Sequence, residues 1–356
     1  MNTLKLYCRP LLALFALFAL AGCDTIVLNP PGDIAAQQGD LIITATNLML
    51  LIIVPVIALT FWFAWKYRAS NTKAEYAPDW DHSVQLELII WAAPLAIIIA
   101  LGAITYITTH KLDPYRPLDR ISADKPLPAD VKPLVIEVVA LDWKWLFFYP
   151  EQGIATVNEI AAPVDRPIQF KITSATVMNS FYVPAVAGMI YAMAGMETQL
   201  HGVINKPGEY QGLSTNYSGA GFSRMNFLFH GVSDAEFDAW IQKNKDSGKV
   251  LSREEYLELA KPSKFEDPHF SGSTRDPIRY YGSVEPKLYH DILNLCADGK
   301  TMCMDEMMAI DMGLKPRPAR NHGGHEEAGH EAKAEEAAAP ADHSADASAH
   351  AGHAAH

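Results

Sequence analysis

Hydrophobic residues along this chain follow two regimes. In the first 110 residues they form three unbroken apolar blocks: Leu11–Leu20, Leu41–Trp65 and Leu88–Thr109. The first block is ten residues, the size of a signal-peptide core and too short to cross a bilayer. The second and third are 25 and 22 residues without a charge. At about 1.5 Å per residue each exceeds a hydrocarbon core of roughly 30 Å, so both predict transmembrane helices rather than buried core helices. Pro55 and Pro94 lie inside these spans, where neighbouring helices re-satisfy the backbone. After a proline-punctuated, charged connector the pattern changes. From Leu134 short runs rich in Val, Ile, Thr and aromatics follow one another with Gly or Pro at the joints, among them "LVIEVVALDWKWLFFY", "GIATVNEIAA", "PIQFKITSATV" and "MNFLFHGVS". That spacing predicts a β-sandwich or Greek-key barrel of about 95 residues. From Ser233 it changes again: "SDAEFDAWIQKNKDSG" and "SREEYLELAKPS" each open on Ser with acids in the first turn, the signature of capped helices.

Charge orients the chain. Lys66, Arg68 and Lys73 in the short loop between the spans place that loop in the cytoplasm. The C-terminal body then lies on the outer side. A second cue agrees: Leu20-Ala21-Gly22-Cys23 has the form of a bacterial lipobox, which makes Cys23 a lipidated mature N-terminus on the outer face. The competing reading is an ordinary signal peptide with a chance cysteine. The formal net charge of −12 carries no basic stripe and excludes a nucleic-acid binder.

The longer strings "FWFAWKYRASN", "DWKWLFFYPEQGIATVNEIA", "VMNSFYVPAVAGMIYAMAGM" and "YSGAGFSRM", taken with the lipobox and the two spans, resemble subunit II of bacterial cytochrome bo-type ubiquinol oxidases, in the haem–copper oxidase superfamily. The resemblance runs from about Cys23 to Lys261. It implies a membrane-anchored α+β protein: a two-helix transmembrane hairpin, a periplasmic cupredoxin-like β-sandwich, a helical C-terminal extension and a disordered His-rich tail. The expected divisions are a leader at 1–22, the lipidated N-terminus and hairpin at 23–110, linker and cupredoxin-like domain at 111–232, the extension at 233–320 and the tail at 321–356.

In the related cytochrome c oxidases the corresponding loop holds a binuclear copper centre with the pattern Cys-x-Glu-x-Cys-x-x-x-His-x-x-Met and a further His upstream. Laid on this chain, the Cys positions are Ser214 and Ser218, the Glu is Asn216, the loop His is Phe222, the upstream His is Asn179, and only Met225 remains. Soft sulfur ligands hold such a centre, and hydroxyls, amides and a phenyl ring do not replace them. The alternative is a Gly/Ser turn with coincidental spacing, and neither reading binds copper. Trp143 matches the tryptophan through which electrons reach the copper centre in the cytochrome c branch. Here it reads as packing, sharing a strand face with Trp145.

What the resemblance implies is a non-catalytic subunit of a proton-pumping quinol oxidase that binds no cofactor itself. Haem groups, copper and ubiquinone are expected in the catalytic subunit I, with subunits III and IV as further partners in the bacterial inner membrane, and ubiquinol and membrane lipid engaged through the complex. The spans contain no His to ligate haem. The resemblance also places an acid at the position of Glu87 near a proton channel of the catalytic subunit; the competing reading is a solvated helix-end marker. Cys296 and Cys303, with six residues between them in an oxidising compartment, predict a disulfide. A soft metal site with Met302 and Met304 is the alternative. The tail holds seven of the 13 His and cannot bury a core. It is either a solvated tail or a weak gatherer of copper or zinc. Two other functions compete: a copper-carrying electron-transfer subunit for cytochrome c, and a metal-binding lipoprotein of the periplasm.

Overall fold

The structure is a computed structural model that describes residues 25–75, 77, 79–128, 130–263 and 277–314. The leader, Cys23 and the tail at 321–356 lie outside the described residues.

Both predicted spans are helices, α1 (Asp33–Lys66) and α2 (Val84–Lys111). Their apolar windows bury nothing against the rest of the chain, and side chains such as Phe61 and Trp91 stand 71% and 77% exposed. A soluble protein would bury such a surface, so these helices need lipid or another membrane protein as their solvent. The α1 helix begins eight residues before the uncharged run at Leu41, because its first turns have partners outside the membrane span. Asp33 forms a bidentate pair with Arg120 (2.8 and 3.1 Å), and Ala35 and Gly39 are buried. At Gly32 an added Cβ would stand 2.5 Å from the Val203 carbonyl oxygen, so the chain enters the helix flush against the β-domain.

That domain opens with a small hairpin, β1 (Arg120–Ser122) and β2 (Lys125–Pro126). Strands β3 (Leu134–Leu141), β4 (Lys144–Tyr149), β5 (Ile154–Val157), β6 (Glu159–Pro163), β7 (Ile168–Ser174), β8 (Asn179–Val183), β9 (Ala187–Ala192), β10 (Thr198–Gly202), β11 (Gly208–Ser214) and β12 (Asn226–Val232) then build two facing sheets. The C-terminal region adds α3 (Asp234–Lys245), β13 (Val250–Leu251), α4 (Arg253–Leu259), β14 (Arg279–Tyr281), β15 (Ser283–Val284), α5 (Leu288–Leu293) and α6 (Met304–Asp311). One sheet runs β10-β7-β3-β4-β5-β14, the other β6-β12-β11-β8-β9. Trp145, Phe147 and Tyr149 from the first interdigitate with Phe181, Phe227 and Phe229 from the second. The chain changes sheet at Asn158, which sits in the left-handed region (φ 58°) that Asn tolerates better than most residues. Its side-chain oxygen accepts from the Trp145 backbone N–H at 2.8 Å, which anchors the corner.

The strands β3 and β4 read as nearly continuous apolar runs because both of their faces are covered. The outer face, with Val139, Leu146 and Phe148, packs under Leu251, Tyr256, Leu259, Tyr281, Leu288 and Ile292 of the C-terminal region. The two capped helices form as expected: Ser233 and Glu236 make a capping box, and the Ser252 hydroxyl accepts from the Glu255 N–H. Beyond its helices this region contributes β14, which extends the larger sheet at β5. One packing expectation is corrected. Trp143 does not share a strand face with Trp145: it stands in the β3–β4 turn at φ 68°, while Trp145 is fully buried in the core. Positive φ at the second residue of this two-residue turn takes Trp143 out of the strand alternation that the sequence suggests.

Candidate functional site

The positions set against the copper ligands do come together. Asn179 opens β8 and Ser214 closes β11, and these strands pair in register. The Ser214 hydroxyl donates to Asn179 Oδ1 at 3.3 Å, and the Asn179 amide donates to the Val177 carbonyl at 3.1 Å. The Asn216 amide donates to the Met178 carbonyl at 3.1 Å, closing the loop over the start of β8. Phe222 packs edge-on against Tyr217 with ring centroids 5.7 Å apart. Met225 is buried in the hydrophobic core, and the Ser218 hydroxyl is buried without a protein partner among the described residues. The indole of Trp143 lies against Gly219, where an added Cβ would meet Cζ2 at 3.3 Å; Gly219 has φ 134°, so glycine meets both a steric and a backbone demand.

This donor set does not fit a binuclear copper centre. It supplies two hydroxyls, two amides, a phenyl ring and one core thioether, with no thiolate to bridge two ions and no imidazole. Its amides and one hydroxyl are committed to hydrogen bonds that hold the loop in shape.

The other candidates belong to other parts of the chain. Glu87 is in the first turn of α2, where a carboxylate complements the helix dipole, and its Oε1 lies 2.6 Å from His82 Nδ1. Both are about half exposed. Cys296 and Cys303 form a disulfide, so their sulfurs are not metal ligands. The Arg253 guanidinium beside it donates to the Ala297 carbonyl (2.9 Å) and to Asp291 (2.6 Å).

A cluster that pattern reasoning passes over centres on Glu159 in β6. Its carboxylate is 8% exposed and accepts from Trp240 Nε1 at 2.9 Å and from the Tyr280 hydroxyl at 3.0 Å, with His230 Nε2 at 3.8 Å. Burial works against its charge, yet the donors from His230, Trp240 and Tyr280 outweigh burial and hold the carboxyl below the usual range. On the outer face of the larger sheet Glu137 goes the other way. Burial pushes it up to about 7, partly offset by Lys171 and reinforced by Glu197. Nothing in the spacing of Glu159 separates it from any strand acid; the signal lies in Trp240 and Tyr280, 81 and 121 residues away.

Comparison with known proteins bears on this geometry. Residues 134–232 match the family described as "Cytochrome C oxidase subunit II, periplasmic domain", and residues 245–300 match "COX Aromatic Rich Motif". The cytochrome bo(3) ubiquinol oxidase subunit 2 of Pseudomonas putida is 49% identical over 284 residues, covering 80% of this chain and 84% of that protein. The chain belongs to the subunit II family of cytochrome bo(3) ubiquinol oxidases. The homologue from Pseudomonas aeruginosa is 50% identical, covering 79% of this chain and 80% of its own, and the ubiquinol oxidase subunit 2 of Acetobacter aceti is 49% identical, covering 80% and 86%. Membership in this family accounts for the two apolar helices, the cupredoxin-like sandwich and the helical C-terminal region, and makes the chain a subunit of an oxidoreductase complex with a catalytic haem–copper subunit. It does not favour the cytochrome c electron-transfer subunit or the metal-binding lipoprotein. The aromatic-rich match coincides with the region that contributes Tyr256, Tyr281 and Tyr280 to the outer sheet face and to Glu159.

Proposed function

We propose that this quinol oxidase subunit II is a non-catalytic, structural subunit that supports a proton-translocating catalytic partner and carries no electrons itself. The observation that carries the reading is the donor set at Asn179, Ser214, Asn216, Ser218 and Phe222, which offers neither thiolate nor imidazole. A soluble one-electron donor needs a relay on the outer surface. A quinol dissolved in the bilayer reaches the catalytic subunit directly, so the relay is dispensable. In the net reaction of the complex two quinols and one oxygen give two quinones and two waters. Haems, copper and ubiquinone belong to the partner, and smaller subunits III and IV complete the assembly.

Placement follows from the same reading. Lys66, Arg68 and Lys73 lie on the cytoplasmic side of the inner membrane, the sandwich lies in the periplasm, and Cys23 is lipidated on the periplasmic face. Glu87, at the cytoplasmic end of α2, collects protons for the catalytic subunit. The experiment is affinity purification of the tagged full-length protein from membranes, followed by a visible spectrum, metal analysis and quinol-dependent oxygen uptake. Haem bands, quinol oxidase activity and no more than one copper per complex support the reading. A second, binuclear copper signal on this chain, or a colourless preparation without an oxidase partner, overturns it.

A further inference from the structure

A cavity of about 200 Å³ with a mixed polar and apolar lining opens where the outer end of α1, the outer end of α2 with its connector, and strands β9 and β10 meet. Its depth is defined by the helices that form it. Gln38 lies three residues outside the uncharged run that starts at Leu41, and Lys111 lies two residues beyond the run that ends at Thr109. At 1.5 Å per residue both stand about 3–5 Å outside the hydrocarbon, within the polar layer that adds about 5–8 Å on each side of a bilayer. A ligand at this level is the headgroup of an amphiphile.

The lining carries both signs of charge. The Arg120–Asp33 pair is satisfied within the wall. Lys111 is exposed and has no ion-pair partner among the described residues, and Arg116, paired with Asp119 at 3.1 Å through one nitrogen, keeps further N–H donors. Together they offer a phosphate two cations. Acceptors stand on the same lining: Asp113 uses Oδ1 for the Tyr115 N–H and keeps its second oxygen. His201 is 8% exposed, and its Nδ1 lies 3.1 Å from the Pro114 carbonyl. A carbonyl only accepts, so Nδ1 carries a proton, and in the neutral ring Nε2 is a lone-pair acceptor.

From this juxtaposition, and from the placement of both helices in the membrane, we infer that the cavity binds one phospholipid headgroup of the periplasmic leaflet, a phosphate at Lys111 and Arg116 with a hydrogen-donating ammonium at Asp113 and His201. That chemistry is phosphatidylethanolamine. Phosphatidylcholine has the same phosphate and charge but no N–H to donate, which makes it the discriminating control.

The test is native mass spectrometry of the full-length protein in mild detergent, titrated separately with phosphatidylethanolamine, phosphatidylcholine and soluble glycerophosphoethanolamine. The expected result is one retained phosphatidylethanolamine, with phosphatidylcholine weaker by about tenfold, the worth of one charge-assisted hydrogen bond. Lys111→Gln with Arg116→Gln, both on the exposed surface, weakens both lipids by a similar factor, and His201→Gln narrows the difference between them. Should His201→Gln fail to fold by circular dichroism, the surface double variant and the two-lipid comparison still decide. Equal retention of the two lipids, or retention unchanged in the double variant, overturns the inference. Equal binding of the soluble headgroup overturns the assignment to a lipid.

Discussion

Removing the Glu159 carboxylate should loosen the attachment of the C-terminal region more than any other single surface-proximal change. Glu159 sits on the smaller sheet, Trp240 on α3 and Tyr280 on β14, so one carboxylate joins three elements. Hydrogen bonds to a charged group contribute about 1.5–3 kcal/mol each, and a buried donor left without an acceptor costs about 1–3 kcal/mol. Two such bonds, less the cost of burying the charge, put Glu159→Ala at about 3 kcal/mol of lost stability. Glu159→Gln keeps an acceptor for Trp240 but not the charge, and should lose about 1–1.5 kcal/mol. At about 2–4 °C per kcal/mol for a domain of this size, the alanine variant melts about 6–12 °C lower. The assay is thermal unfolding of the full-length protein in mild detergent by circular dichroism, run from pH 7.5 to pH 3.5. The sign of the pH dependence is specific. Because the folded carboxyl is held below its ordinary value, its contribution is complete above about pH 4.5 and is lost as pH falls through the folded value, so the gap between wild type and Glu159→Gln closes in acid. An alanine variant within about 0.5 kcal/mol of wild type, or a glutamine variant with the same loss as alanine and no change in gap with pH, would refute the reasoning.

Four further outcomes are expected. Glu137 is raised to about 7, so above the ordinary carboxylate range the folded state is penalised for ionising it; Glu137→Gln should raise the melting temperature at pH 7.5 and lose that advantage by pH 4.5, and an advantage independent of pH would count against this account. Glu87→Ala should slow proton uptake and turnover of the assembled oxidase, with His82→Ala, which removes the 2.6 Å partner, giving a smaller effect; unchanged turnover in Glu87→Ala would discard the proton-collecting role. Cys296→Ser with Cys303→Ser should cost about 2–3 kcal/mol by the loop-closure relation for so short a loop, measured by the same melts, and two free thiols in non-reducing mass spectrometry of the native protein would contradict the pairing. A strong chelator should leave the melting temperature unchanged, since the loop at 214–225 offers neither thiolate nor imidazole; a drop of several degrees would reveal a structural metal there.

Much of this architecture was legible because the chain changes texture where its surroundings change. Charge-free runs of 25 and 22 residues leave little alternative to a membrane, and Ser233 and Ser252 announce their helices through the residues that follow them. The relation between Asn179 and Ser214 was legible as a spacing, and the strand pairing turns it into a hydrogen bond. What pattern reasoning missed depends on distant partners. The first eight residues of α1 carry no long apolar run; they are helical because Asp33 meets Arg120, 87 residues on, and because the β-domain covers them. The run "GIATVNEIAA" reads as a single strand, yet Asn158 bends it from one sheet into the other. Trp143 looked like half of a strand pair because alternation is local, whereas the turn that flips it is set by the pairing of β3 with β4.

On the proposed reading, the loop at 214–225 is a metal-site scaffold that persists without its metal. In a site that holds copper, ligand bonds contribute to the stability of the loops that supply them. Here the same loop is held by the Ser214–Asn179 bond, the Asn216 bond to Met178, the Trp143 ring against Gly219 and Met225 sunk in the core. The two hydrogen bonds contribute about 1 kcal/mol each and burial of Met225 about 1.5–3 kcal/mol, so on the proposed reading ordinary interactions replace a coordination sphere as a fastening though not as a conductor. The C-terminal region adds a second fastening, covering the outer face of the larger sheet and gripping Glu159 from two further elements. Under the proposed function a domain relieved of electron transfer needs only its shape, and the residues at this loop are those that hold a shape.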